Sequence, residues 1–247
     1  MKKFLKVTSI TIGSIFALIF LAWLIVPALP SYLLIKNHYK NNLECLNYTT
    51  MPYTHGDTET PKDFIEAEYE GLYLKMPSGM KNKYADNDEH KALSDRVFTD
   101  TENNVSIIFS ETDRSDIPSE EYEQLKKLYH KTPENYYELW DIIHTVKFDD
   151  LSVFKHKASA AMLAWAEIKS STPHGSDSTV YKIETENAVG FVSMIGHRQK
   201  DEKHEELYKY AVELFDKDDL DTIHSAIIGS KDQETIWQIV NSADIVK

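Results

Sequence analysis

Apolar and polar positions alternate first in "EYEGLYLKMPSGM", where Leu72, Leu74 and Met76 point to one face before a Pro-Ser-Gly turn, the period of a half-buried strand. In "RVFTDTENNVSIIFSE" two short runs, Arg96 to Thr99 and Val105 to Ser110, flank a polar Asp-Thr-Glu-Asn-Asn stretch and predict a hairpin. The period then lengthens. Tyr122, Leu125, Leu128 and Tyr129 recur at helical spacing after Pro118, and Thr132-Pro133-Glu134 predicts the start of a second helix facing inward with Tyr136, Trp140 and Ile143. "AAMLAWAEIKS", "TVYKIETE" and "AVGFVSMIG" read as three strands, the last two joined around Asn187, although the alanines of the first also suit a helix. In the last third, Leu207, Tyr208, Ala211, Leu214 and Phe215 share a helical face, as do Leu220, Ile223, Ile227 and His224. Ser230 and Gln233 form a capping-box pattern before Ile236, Trp237, Ile239 and Val240. Strands, helices, strands and helices in that order predict an α+β fold with an antiparallel sheet flanked by helices.

Ahead of this pattern stands a run without charge, residues 7–35 between Lys6 and Lys36. As a helix, about 20 residues of it would cross a hydrocarbon core of roughly 30 Å. The expectation is one N-terminal transmembrane helix that stays as a signal anchor. Val26-Pro27-Ala28, the best cleavage site for an exported chain, carries a valine where a small residue belongs. Lys2, Lys3 and Lys6 before the run predict a cytoplasmic start, a single-pass topology and an extracytoplasmic body. The expected organisation is a short start at 1–6, an anchor at 7–35, a tether at 36–65 rich in Asn, Thr and Pro, and a folded domain at 66–247.

Charge narrows the partners. The chain carries a formal −13, and residues 36–247 hold all 40 acidic side chains against 24 of the 27 basic ones, a formal −16. Such a body repels nucleic acid and anionic lipid headgroups and favours basic partners. Cys45 is the only cysteine, so no intrachain disulfide forms and the core must hold the fold.

The element order resembles the PsbP-like family of α-β-α sandwich domains over about residues 66–229. The likeness rests on "GLYLKMPSGM", the "VFTD...NNVSIIFSE" hairpin, a central helical segment, a meander ending "GFVSMIG", and "IHSAIIGS". The resemblance implies a non-catalytic accessory, assembly or binding factor, and supplies no catalytic motif.

The residues supply none either. Among eight glycines none forms a nucleotide phosphate cradle, HExxH and paired cysteines are absent, and "DKDDLD" fails the calcium-loop spacing at Leu220 and Asp221. Ser78 to Lys81 and Ser152 to Lys155 both fit SxxK, without the companion motifs of penicillin-recognising enzymes, so turn residues are the plainer account. The sharpest polar cluster is "HRQKDEKHEE". His197 ends a strand there, and Asp201, His204 and Glu205 share a helix face, a donor set that suits zinc, although a solvated loop and helix start is the plainer account. His144 and His224 sit beside apolar stripes and read as core or boundary histidines. Tyr136, Tyr137 and Trp140 are the candidate partner-binding residues, with Tyr137 the more exposed. No catalytic residue and no cofactor is assigned. The expected function is a membrane-anchored, extracytoplasmic, non-catalytic domain that engages a protein partner, with an exported hydrolase or metal-dependent enzyme as the alternative.

Overall fold

A computed structural model describes residues 26–85, 95–114, 133–151, 159–171, 179–200 and 205–246, and singly 14, 16, 19, 20, 93, 126 and 128. The chain divides into two compact units, one of Met1–Asn47, Ile117–Pro133 and Lys147–Ser171, the other of Tyr48–Asp116, Glu134–Val146 and Thr172–Lys247. The helix expected from Tyr122 to Tyr129 falls almost wholly outside the described residues.

In the first unit, helices α1 (Leu29–His38), α2 (Glu44–Asn47) and α4 (Ser159–Ser171) pack with a 3-10 turn at Phe148–Asp150. Tyr32 stacks on Phe148 at 4.8 Å, and the Tyr39 hydroxyl lies 2.9 Å from Ser170 Oγ. These contacts correct the membrane expectation. Among the described residues no helix is long and apolar enough to cross a membrane. The helix closing the uncharged run has ten residues, about 15 Å of rise. It begins beyond a turn at Pro27 and Ala28 and buries Ile35 and Ser31 in protein contacts. The single-pass anchor over 7–35, its cytoplasmic start and its extracytoplasmic body are therefore not supported. α4 settles the alanine-rich segment as helix, where a strand was the first expectation; Ala161, Met162, Trp165 and Ala166 are all buried at i, i+1, i+4 and i+5.

The second unit is a mixed α+β body built on a large sheet. Its strands are β1 (Thr50–Pro52), β2 (Ile65–Tyr69), β3 (Leu72–Met76), β4 (Lys81–Asn82), β5 (Val97–Asp100), β6 (Val105–Phe109), β7 (Asp113–Arg114), β8 (Val180–Glu184), β9 (Ala188–Arg198), β10 (Leu207–Asp216), β11 (Asp219–Ser230) and β12 (Asp244–Ile245). The large sheet runs β1-β8-β9-β10-β11-β6-β5-β4, with β7 also on β11, and a smaller one runs β12-β3-β2. β1 lies parallel to β8, and the other pairings are antiparallel.

Here the helical reading of the last third fails. β10 and β11 are long strands at the sheet centre, joined by a tight turn at Lys217 and Asp218. A central strand covered on both faces reads as a continuous apolar run, which at five to eight residues cannot be told from a helix by period alone. "YAVELF", residues 210–215, is buried throughout. One helix does close the chain, α5 (Gln233–Val240), capped by Asp232 and not by Ser230. The Asp232 carboxylate accepts from the amides of Glu234 and Thr235 at 3.1 and 3.2 Å. α5 and the small sheet cover one face of the large sheet, where Tyr210, Val212, Leu214, Ile228, Ile236 and Ile239 form the main core.

The segment 53–60 is tied across the end of α5. Asn241 Nδ2 donates to the carbonyls of His55 and Thr58 at 2.7 and 2.6 Å, and Asn241 Oδ1 accepts from the Tyr53 hydroxyl. The His55 ring lies flat on Trp237, 4.0 Å between centroids and 3° between planes. Because one amide satisfies three partners, Asn241→Ala should cost about 2 to 3 kcal/mol. Chemical denaturation reads the loss, and limited proteolysis should then open the chain within 53–60.

On the other face lies helix α3 (Tyr136–Thr145). Its cap is Asn135, whose side chain accepts from the Glu138 amide at 2.9 Å, while Asp221 on β11 accepts from the Tyr136 amide at 2.9 Å. Tyr136, Tyr137 and Trp140 pack down against Tyr48, Val180, Phe191 and Phe215.

Candidate functional site

β1 ends the large sheet and covers β8 only from Thr50 opposite Val180 to Pro52 opposite Lys182. Beyond Pro52 the chain turns away to set Tyr53 among the rings of Tyr181 and Trp237. The departure leaves a cleft of about 650 Å³ beside the sheet edge, lined by Thr50, Met51, Pro52, Tyr53, Tyr137, Lys182, Ile183, Glu184 and Val189. Met51 is 48% exposed at its rim. Pro52 lacks an amide donor, which is what an edge strand tolerates.

Tyr137 is fixed in this wall. Its ring stacks on Phe191 at 5.6 Å and stands edge-on to Phe215 at 5.5 Å. Lys182 Nζ lies 5.4 Å from the centroid of the same ring and 3.0 Å from Asp141 Oδ2. Burial pulls the Lys182 amine down, but the Tyr137 hydroxyl and Asp141 carboxylate outweigh it and hold the amine above its ordinary range. A protonated, paired lysine positions and does not attack. Glu184 at the rim pairs with Lys217 at 2.9 Å.

A second cleft, about 680 Å³, lies on the small sheet among Thr60, Tyr73, Lys75, Asn187, Asn241, Ser242 and Asp244. Its polar groups already serve the fold. Asp244 Oδ1 accepts from the Thr185 hydroxyl and the amides of Asn187 and Ile245 at 2.6, 3.2 and 2.9 Å. Ser242 Oγ accepts from the Lys75 amide at 2.7 Å and donates to the Ile239 carbonyl at 2.6 Å. The cleft beside β1 is the stronger candidate.

Of the metal-ligand candidates, Asp201 and His204 lie outside the described residues. His197 stacks on Tyr208 at 4.4 Å, with Nε2 2.9 Å from Glu206 Oε1. Hydrogen bonds from Tyr208 and then His197 hold the Glu206 carboxyl below its ordinary range. Glu205 instead accepts from Asn104 Nδ2 at 2.9 Å and leads into β10, so the shared helix face is not formed at that residue. Among the described residues no group of three or more His, Cys, Asp or Glu side chains is arranged to hold a metal.

His144 is buried, with Nδ1 3.0 Å from the Tyr48 hydroxyl. His224 sits on β11, not on a helix, and its Nδ1 is 2.9 Å from the Glu70 carbonyl and 3.3 Å from Thr112 Oγ1. Ser78 belongs to the turn closing β3, and Lys81 opens β4. Ser152 to Lys155 lie outside the described residues.

Two buried ionisable groups escaped the sequence reading. Lys169 on α4 is fully buried, its Nζ 5.7 Å from the Trp165 ring centroid, and burial first, then Lys147, pulls its amine down to about 7. Glu213, at the middle of β10, is 8% exposed and is paired across the strands with Phe191 on β9 and Ser225 on β11. Trp140 Nε1 donates to its Oε2 at 3.4 Å. Burial pushes this carboxyl up to about 7, and the indole hydrogen bond only partly opposes that. A lone carboxylate inside "YAVELF" is a visible signal once the run is read as a strand.

No protein-family model matches this chain, and no curated protein sequence matches it.

Proposed function

We propose that the chain is a non-catalytic binding protein that engages a protein partner through the cleft beside β1. The observation that carries this is Tyr137, an aromatic side chain with a polar tip, held rigid in the wall of a cleft that the exposed Met51 also lines, at an open sheet edge. Rigid aromatic anchors lose little conformational freedom on binding, and edge strands accept extended segments. The formal charge of −13 favours a partner whose contacting segment is basic, and Glu184 in the cleft lining, 72% exposed although it pairs with Lys217, is the carboxylate such a segment can reach. Lys182 is already neutralised by Asp141 and does not oppose such a segment.

The test is a photo-crosslinking residue placed at Met51 in the full-length chain in its own cells, with a control position at Asp218 in the β10–β11 turn. The reading expects one specific protein adduct from position 51 and none from 218. Glu184→Lys, an exposed change, should lower the adduct yield roughly fivefold or more at low salt. Equal adducts from both positions, or a yield indifferent to Glu184→Lys, would overturn it.

A further inference from the structure

Glu213 is not needed to build a sheet, and its surroundings suit a neutral carboxyl better than a charged one. The face of β10 that carries it also carries Ala211 and Phe215. From β9 it meets Phe191, with Ser193 next on that face; from β11 it meets Ser225, with Asp221 four residues away and committed to the Tyr136 amide. From α3 come Trp140, then Tyr136 and Tyr137 one turn before it and His144 one turn after. The nearest lysine on the sheet, Lys182, is opposite Phe191 on β8, two strands away or roughly 10 Å, and is bound to Asp141. Among the described residues Trp140 supplies the only hydrogen bond to this carboxyl.

We propose that the Glu213 carboxyl, buried beneath Trp140, is a proton-controlled latch between β10 and α3, closed while the carboxyl keeps its proton and released when the proton is lost. Once ionised, the carboxylate has one indole hydrogen bond against the loss of its hydration, so any excursion of α3 that admits water becomes less costly. The sign follows from the raised folded value. A group held near 7 in the closed form and at 4.5 when hydrated makes opening easier as pH rises from 4.5 and levels off above 7, by at most about 300-fold. The release also bears on the cleft, because Tyr137 lies one turn from Trp140; that consequence rests on the binding reading, whereas the latch does not.

Hydrogen exchange of the α3 amides in the full chain, corrected for the intrinsic pH dependence of exchange, tests the latch without any partner. The wild type should show α3 opening several tens of times more readily at pH 8 than at pH 5. Glu213→Gln should remove that difference, and Trp140→Phe, which takes away the group that favours the ion, should carry the rise to a higher pH before it levels off and so widen the difference between pH 5 and pH 8. Corrected opening that is the same at both pH values in the wild type, or that Trp140→Phe leaves unmoved, overturns the latch, and a failure of Glu213→Gln to fold leaves both readouts in place. A cleft that captures no partner leaves the exchange result standing.

Discussion

Glu213→Gln should stabilise the protein at pH 8 by about 3 kcal/mol and at pH 4.5 by less than about 0.5 kcal/mol. The carboxyl is raised from 4.5 to about 7 in the fold, so on a rise in pH the unfolded chain gives up its proton first. Between those values the unfolded state holds fewer protons than the folded one, and stability falls as pH rises. Above 7 both states are ionised and the loss is complete. Glutamine keeps the shape and an acceptor for the Trp140 indole without a proton to lose, so its stability should be nearly level across the same window. Urea denaturation at a series of pH values, with equal m-values for the two proteins, checks this. Since the side chain is less than a tenth exposed, solvent screening does little to reduce the effect.

Gly190→Ala should be the most damaging small substitution in the second unit. Gly190 on β9 pairs with Leu214 on β10, and a methyl there would stand 1.9 Å from the Glu213 carbonyl oxygen and 2.9 Å from the Leu214 Cα. Both are backbone atoms of a central strand, with neighbours on either side and no room to yield. The cost should reach about 3 kcal/mol or more, a fall in Tm of about 6–12 °C for a chain of this size. Gly196, further along the same strand, meets only the Lys209 side chain at 3.9 Å. Gly196→Ala should stay within about 2 °C of the wild type, and calorimetry of the pair isolates close strand approach from the general loss of a glycine.

Most of the fold legible in the sequence has two faces that differ. β3, the β5–β6 hairpin and β8 were anticipated near their observed bounds, and α3 and α5 at their apolar stripes, because alternation or helical spacing separates a wet side from a dry one; β9, buried on both faces from Gly190 to Met194, was anticipated with β8 as a pair joined around Asn187. The β10–β11 hairpin was not, because both faces of "YAVELF" are buried and the spacing of Leu207, Ala211 and Leu214 mimics a helix turn. The uncharged run over 7–35 misled for a related reason. Apolarity marks burial, and in α1 the burial of Ile35 is against protein. Tyr136, Tyr137 and Trp140 were found as one helical cluster, yet what each does depends on the sheet beneath, which brings Lys182 to Tyr137 and Glu213 to Trp140 from positions over 40 and 70 residues away. No local spacing encodes such a meeting.

Glu213 under α3 should keep its proton until about pH 7, and the most direct measurement is the carbon-13 titration of its side-chain carboxyl in isotopically labelled protein, assigned by its loss in Glu213→Gln. A midpoint near 7 is the predicted result. A midpoint near 4.5, the value of a hydrated glutamate, would contradict both the buried, neutral carboxyl and the latch built on it.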